Sequence, residues 1–83
     1  HTNLLAAIQL IVADQLWTSV DQVALTSNLI DDLGADSLDL VEITMHLEEH
    51  LDVHIRDEEM EGVRTVEQLL NICTEAIRRA SGG

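Results

Sequence analysis

Apolar residues recur along this chain with a helical rather than an alternating rhythm. Leu4, Leu5, Ile8, Ile11, Val12 and Leu16 fall at three- and four-residue spacing, which predicts an amphipathic helix over residues 3–16 capped by Thr2 or Asn3. Residues 17–36 have no sustained period. Within them, Ser19 followed by Gln22 suits a short capped turn presenting Val20 and Val23, and Leu25, Leu29, Ile30 and Leu33 stand as apolar anchors. A connection of that length is long for a compact domain, and the anchors predict that it is pinned to the core. Trp17, at its start, is expected to pack, as large aromatics mostly do.

The strongest pattern runs from Ser37 to Leu51. Asp36 is a good N-cap, and Asp39 adds negative charge to the first turn, where the helix dipole favours it. Leu40, Ile43, Leu47 and Leu51 make one stripe, and Leu38, Val41 and Met45 a second. The two are displaced by roughly 160–200° at 100° per residue. The first stripe is expected to face inward. The second, flanked by Asp39, Glu42, Glu48 and Glu49, is expected to stay at least partly exposed.

Val53 and Ile55 then point inward, and Asp57 to Glu61 offers a one-turn helix stopped by Gly62. Thr65 and Gln68 form a capping box that opens the last helix. Val66, Leu69, Leu70, Cys73 and Ile77 are its expected buried face, with Arg78 and Arg79 complementing its C-terminal dipole. Cys73 is read as packing. The expected architecture is all-α: a small four-helix bundle of three main helices plus a short third one, with a long loop between the first two. It forms a single domain over residues 1–83, whose ends, 1–2 and 81–83, are expected to be disordered or to be remnants of a longer chain.

Composition narrows the function. Sixteen acids against four arginines, with no lysine, leave a net charge of −12, which disfavours nucleic acid and anionic membranes and suits basic patches on other proteins. One cysteine excludes an internal disulfide framework and a multi-cysteine zinc site. No apolar run approaches membrane-spanning length, and a cytoplasmic or organelle-matrix setting is expected. Phe and Tyr are absent, so the core must be aliphatic.

Ser37 is the residue that a helix start would put on display. A serine hydrolase needs a paired base, usually on a G-x-S-x-G elbow between strand and helix; here the string is G-A-D-S-L-D, flanked by acids and without strands. Asp31-Asp32-Leu33-Gly34-Ala35-Asp36 does not meet the ligand order of an EF-hand loop. Two readings remain from the chemistry. Ser37 is an ordinary first-turn serine, or it accepts a phosphoryl-linked group at a helix N-terminus, where unsatisfied N–H groups favour a phosphate.

The run Asp31-Asp32-Leu33-Gly34-Ala35-Asp36-Ser37-Leu38-Asp39, followed by Val41-Glu42, Leu47-Glu48-Glu49 and Ile55-x-Asp57-Glu58-Glu59, resembles the acyl carrier proteins of dissociated, bacterial-type fatty acid synthesis. The resemblance extends from about Leu4 to Ile77. It implies a carrier that is not itself an enzyme, with Ser37 receiving 4′-phosphopantetheine from coenzyme A through a Mg²⁺-dependent phosphopantetheinyl transferase. Asp36 would help the transferase dock and bind metal. Leu38, Val41 and Met45 would meet partner enzymes, with Asp39, Glu42, Glu48 and Glu49 facing their basic patches. Ketosynthases, reductases, dehydratases and acyltransferases are the implied partners of a monomeric carrier. The acyl chain would be sequestered between helices by Leu40, Ile43, Leu47, Leu51, Ile55 and Leu69.

The chain also departs from that family. Arg56 stands where relatives commonly carry proline, Leu40 where threonine is frequent, and His46 where alanine is frequent. These changes keep open a specialised carrier for a polyketide or lipid-modification pathway, and an acidic interaction module that never receives the arm. His46, His50 and His54 fall at i, i+4 and i+8 with Glu42 and Glu49 nearby, and His46 and His50, sharing a helix face, are a candidate Zn²⁺ or Ni²⁺ pair. The preferred reading is no metal: an exposed face on which imidazolium relieves carboxylate repulsion, Glu42 lying four residues before His46.

Overall fold

Asn3 caps the first helix, α1 (Leu4–Leu16), its Oδ1 accepting from Ala6 N–H at 3.2 Å. The computed structural model describes residues 3–82. Ala7, Ile8, Val12 and Ala13 form the buried face of α1. The helix ends at Trp17 in the left-handed conformation (φ 58°), and the N–H groups of Trp17 and Thr18 both bond Ala13 O. That ending turns the indole outward. Trp17 is 95% exposed and does not pack, because its backbone serves as the helix stop and its Cβ direction follows from that.

The segment after Trp17 is held by backbone bonds as well as by Val23, Leu29 and Ala35, which are buried in the core. A 3₁₀ turn spans Val20–Gln22, but Ser19 makes no side-chain cap. Ser27 does that work: its hydroxyl donates to Gln22 O and accepts from Ala24 N–H. Val23 is buried, Val20 is exposed, and Gln9 Nε2 on α1 donates to Val23 O at 2.7 Å. Of the four expected anchors only Leu29 is fully buried; Ile30 and Leu33 are half-buried and Leu25 exposed. Three backbone bonds to Arg64 and the start of the last helix add to that pinning. Leu29 N–H donates to Arg64 O, Val66 N–H to Ser27 O and Glu67 N–H to Leu25 O, at 2.6, 3.1 and 3.0 Å. Two of these satisfy first-turn N–H groups that a helix cannot satisfy itself.

The second helix, α2 (Ser37–Leu51), lays Ile43 and Leu47 fully into the core, with Leu40 and Leu51 half-buried beside them. A left-handed Asp52 stops it. A one-turn α3 (Asp57–Met60) and a long α4 (Val66–Gly82) follow, with Gly62 at φ +79° between them. The Thr65–Gln68 capping box is present in both directions, at 3.0 and 3.2 Å. Val66, Leu69, Cys73 and Ala76 are buried on α4, while Leu70 and Ile77 are half-buried at the margin. Ala76, absent from the expected face, completes it at the three-residue step after Cys73. Ser81 and Gly82 are the last residues of α4, and residues 1–2 and 83 lie outside the described residues.

Four helices and no named strand occur among the described residues, as the patterning predicted; Asn28 and Thr65 add one isolated antiparallel bridge. Ile8, Val12, Leu29, Ile43, Leu47, Leu69 and Cys73 meet in one aliphatic core with no buried polar residue among them. No helix among the described residues is long and apolar enough to cross a membrane.

Candidate functional site

The approach to α2 is a tight knot of backbone. Asn28 Oδ1 accepts from Ile30 and Asp31 N–H, and Asp32 returns a carboxylate oxygen to Asn28 N–H at 2.7 Å. Gly34 then turns the chain at φ +76°, a conformation that favours glycine, and Ala35 is buried with its N–H on Leu29 O. These bonds fix where the helix begins. Asp36 Oδ1 accepts from Asp39 N–H at 2.9 Å, and Asp39 Oδ2 accepts from Asp36 N–H at 3.1 Å, a reciprocal box built from two acids.

Ser37 is therefore the first residue of a helix whose start is fastened on both sides. It is exposed, and among the described residues its hydroxyl has no hydrogen-bond partner. It sits at the edge of a cleft of about 510 Å³ between α2 and the α3 region, lined among others by Leu40, Val41, Thr44, Met45, Ile55 and Met60. The cleft exists because α3 is only four residues long and packs on α4, leaving one edge of α2 uncovered.

Of the six residues expected to line an acyl pocket, Leu40 and Ile55 border this cleft. Ile43, Leu47 and Leu69 are fully enclosed, and Leu51 is half-buried against the same packing. Here they fill the core and do not line the cleft, because the inward stripes of the long helices interlock around them. The wall also includes Thr44, His54, Asp57, Met60 and Glu61, none of them among the six expected for the pocket. Met60, an isolated apolar residue in an acidic turn, carried a signal for this place; the others did not.

The second stripe of α2 stands in solvent, with Leu38 65%, Val41 53% and Met45 58% exposed. Its flanking acids are less free than expected. Gln15 Nε2, on α1, donates to Glu42 Oε1 at 2.6 Å and to Asp39 Oδ1 at 3.4 Å. Glu48 Oε2 accepts from Ile55 N–H at 2.8 Å and lies 3.3 Å from His54 Nδ1, tying the loop after α2 back to the helix. Glu49 remains exposed.

On the other edge of α2, exposed His46 and His50 line a depression of about 330 Å³ with Glu49 and with Asp14 and Ile11 of α1. Among the described residues no three metal-ligating groups converge.

Two titratable groups are displaced. Glu59 accepts from Arg56 N–H at 2.9 Å and from both terminal nitrogens of Arg79 at 3.0 Å, joining α3 to α4. The backbone bond from Arg56 first, and the Arg79 guanidinium second, hold its carboxyl below the ordinary glutamate range. Arg79 thus serves the α3 tether as well as the end of α4. Burial pushes the Cys73 thiol up to about 11, which removes it as a nucleophile near neutrality.

Residues 6–73 match the family described as PP-binding, the phosphopantetheine attachment site. The acyl carrier protein of Clostridium perfringens strain 13 is 49% identical over 65 residues, covering 78% of this chain and 86% of the relative. That of Clostridium acetobutylicum is 49% identical over 61 residues, covering 74% and 79%. In three dimensions the chain is similar to an acyl carrier protein from Thermotoga maritima, with a TM-score of 0.80 at 24% identity over 94% of this chain and 91% of that one. It is also similar to the apo doublet acyl carrier protein from prodigiosin biosynthesis, with a TM-score of 0.74 at 25% identity, covering 87% of this chain and 35% of that one.

Proposed function

On the premise that this chain belongs to the acyl carrier proteins, with their 4′-phosphopantetheine prosthetic group, we propose that Ser37 is its attachment residue and that it delivers acyl groups to the enzymes of fatty acid synthesis. One observation carries this reading: the unbonded, exposed Ser37 hydroxyl at the edge of the apolar cleft. The residues present fit the group. A hydroxyl free of protein hydrogen bonds is open to an incoming phosphate, and the start of α2 favours the negative charge that arrives.

In the attachment step Ser37 Oγ forms a bond to the β-phosphorus of coenzyme A. The bond to the remaining 3′,5′-bisphosphorylated nucleoside breaks, that nucleotide leaves with the electron pair, and the serine proton passes to a base of the transferase. Asp36, the residue before Ser37, caps the helix through one carboxylate oxygen on Asp39 N–H and would assist a transferase-bound Mg²⁺. When bound, the group supplies a terminal thiol that holds the acyl chain as a thioester. Leu38, Val41 and Met45 then offer an apolar contact to enzymes of basic surface, with Glu49 the freest of the surrounding acids. The protein acts as a carrier rather than a catalyst, and we place its action in the cytoplasm.

Incubation with coenzyme A, Mg²⁺ and a broad-specificity phosphopantetheinyl transferase tests the assignment. The expected result is a mass gain of one phosphopantetheine, abolished in Ser37→Ala. The product carries one readily alkylated thiol, because Cys73 is enclosed. Absence of the mass gain, or its survival in Ser37→Ala, defeats the reading.

A second reading is favoured by the polar wall of the cleft, where Thr44, Glu48 and His54 face the same space as Leu40 and Met45. Such a lining suits a cargo with a hydrogen-bonding group, as a specialised pathway would supply. Stronger thermal stabilisation by a hydroxyacyl than by an alkyl acyl form of equal length supports it, and the reverse order supports fatty acid synthesis.

A further inference from the structure

We propose that His46 and His50 form a two-imidazole site for a borderline transition-metal ion such as Zn²⁺, on the edge of α2 facing away from the cleft. Residues four apart on a helix are one turn apart on the same face, and helix-borne zinc sites place two imidazoles by this spacing. The local string His46-Leu47-Glu48-Glu49-His50 also has the H-x-x-E-H order found in one class of such sites. Leu47 inside the core fixes the rotation of α2, so both histidines are carried to the surface beside α1.

The structure removes one support of the rival explanation of these histidines as relief for a crowded acidic face, the pairing with Glu42. Glu42, the carboxylate four residues before His46, is held by Gln15 at 2.6 Å. The histidine that meets a carboxylate among the described residues is His54, on Glu48. His46 and His50 instead share their depression with Asp14 and Glu49. Those acids favour a cation without converging on it: no three ligating groups meet there among the described residues. Two imidazoles are then the protein donors, and water completes the tetrahedron that Zn²⁺ prefers. Imidazole also selects against Mg²⁺ and Ca²⁺, which take oxygen ligands. The site is independent of the arm, since His46 lies about 200° and His50 about 240° around the helix from Thr44 in the cleft wall.

ZnCl₂ titrated into the full chain, followed by calorimetry and by assigned imidazole NMR signals, tests the proposal. At one equivalent, the His46 and His50 signals should move together, while those of His1 and His54 stay in place. His46→Gln and His50→Gln should each weaken binding at least tenfold, Asp14→Asn only a few-fold, and His54→Gln not at all. Tenfold excess Mg²⁺ should leave the histidine shifts intact. Unchanged affinity in the His46→Gln/His50→Gln double variant, or His46 and His50 signals that do not respond at one equivalent, overturns it. Circular dichroism of the variants keeps loss of helix separate from loss of ligands.

Discussion

Along the first half of its α1 edge, α2 is bonded and filled: Gln15 reaches Glu42 and Asp39, and Ile43 and Leu47 are fully enclosed. Farther along, that edge opens only into the smaller depression of about 330 Å³ at His46 and His50. Along its α3 edge the same helix borders a cleft of about 510 Å³, crossed at one end by the Glu48 bond to Ile55 N–H. The rims differ in chemistry, with Asp39, Glu42, His46 and Glu49 toward α1 and Leu40, Val41 and Met45 toward α3. The neighbours differ in length as well: a thirteen-residue α1 covers more of its edge than a four-residue α3 can. A small bundle can thus close one seam more fully than the other, placing Ser37 on the more open side.

The largest test of that contrast is in the core. Leu47→Ala should cost about 3 kcal/mol, a typical loss for a leucine truncated in tight packing. Total stabilities of such domains are roughly 5–15 kcal/mol, so this variant would be near unfolding. Met60→Ala, removing a half-buried side chain from the cleft wall, should cost roughly 1 kcal/mol. Urea unfolding of the pair measures the ratio. Equal losses would mean that the cleft wall is packed as tightly as the core.

The tether of α3 gives a smaller effect with a pH signature. Glu59→Gln removes the carboxylate that Arg56 N–H and Arg79 share, at a cost of about 1 kcal/mol near pH 7, because Arg79 is 42% exposed and solvent screens its half of the pair. The Glu59 carboxyl titrates lower when folded than its ordinary 4.5. Its contribution is therefore complete above the unfolded value and disappears as pH falls through the folded one. The stability gap between wild type and Glu59→Gln should narrow on acidification below pH 4.5. A gap that held constant to pH 3 would show that Glu59 acts by shape alone.

These two seams were unequally legible in the sequence. The stripes of α2 and α4 specified their helices and buried faces, because burial of one face imposes a period on the side chains. The cap at Asp36 and the box at Thr65 and Gln68 were equally plain, since capping selects residue types at fixed spacing. The pinning of the long loop was legible only in part: Leu29 enters the core as its character suggested, but Leu25 and Ser27 accept from the first turn of α4 and Leu29 donates to Arg64 O through backbone atoms, which leave no mark on residue choice. Trp17 misled for a related reason, its fate being set by a left-handed backbone rather than by its hydrophobicity. The cleft wall was half legible. Leu40 and Ile55 followed from their apolar character, whereas Glu48 and His54 enter it through a tertiary bond to a backbone N–H.

The smallest effect bears on the closed seam itself. Gln15 is the one α1 side chain that donates to acids of α2, reaching Glu42 at 2.6 Å and Asp39 at 3.4 Å. Both acceptors are half-buried and water can replace the amide, so Gln15→Ala should cost only about 0.5 kcal/mol, the low end for an intramolecular hydrogen bond. Urea unfolding of wild type and Gln15→Ala reads this loss directly. A loss of about 2 kcal/mol or more would show that the amide, rather than the apolar filling behind it, is what holds the α1 seam together.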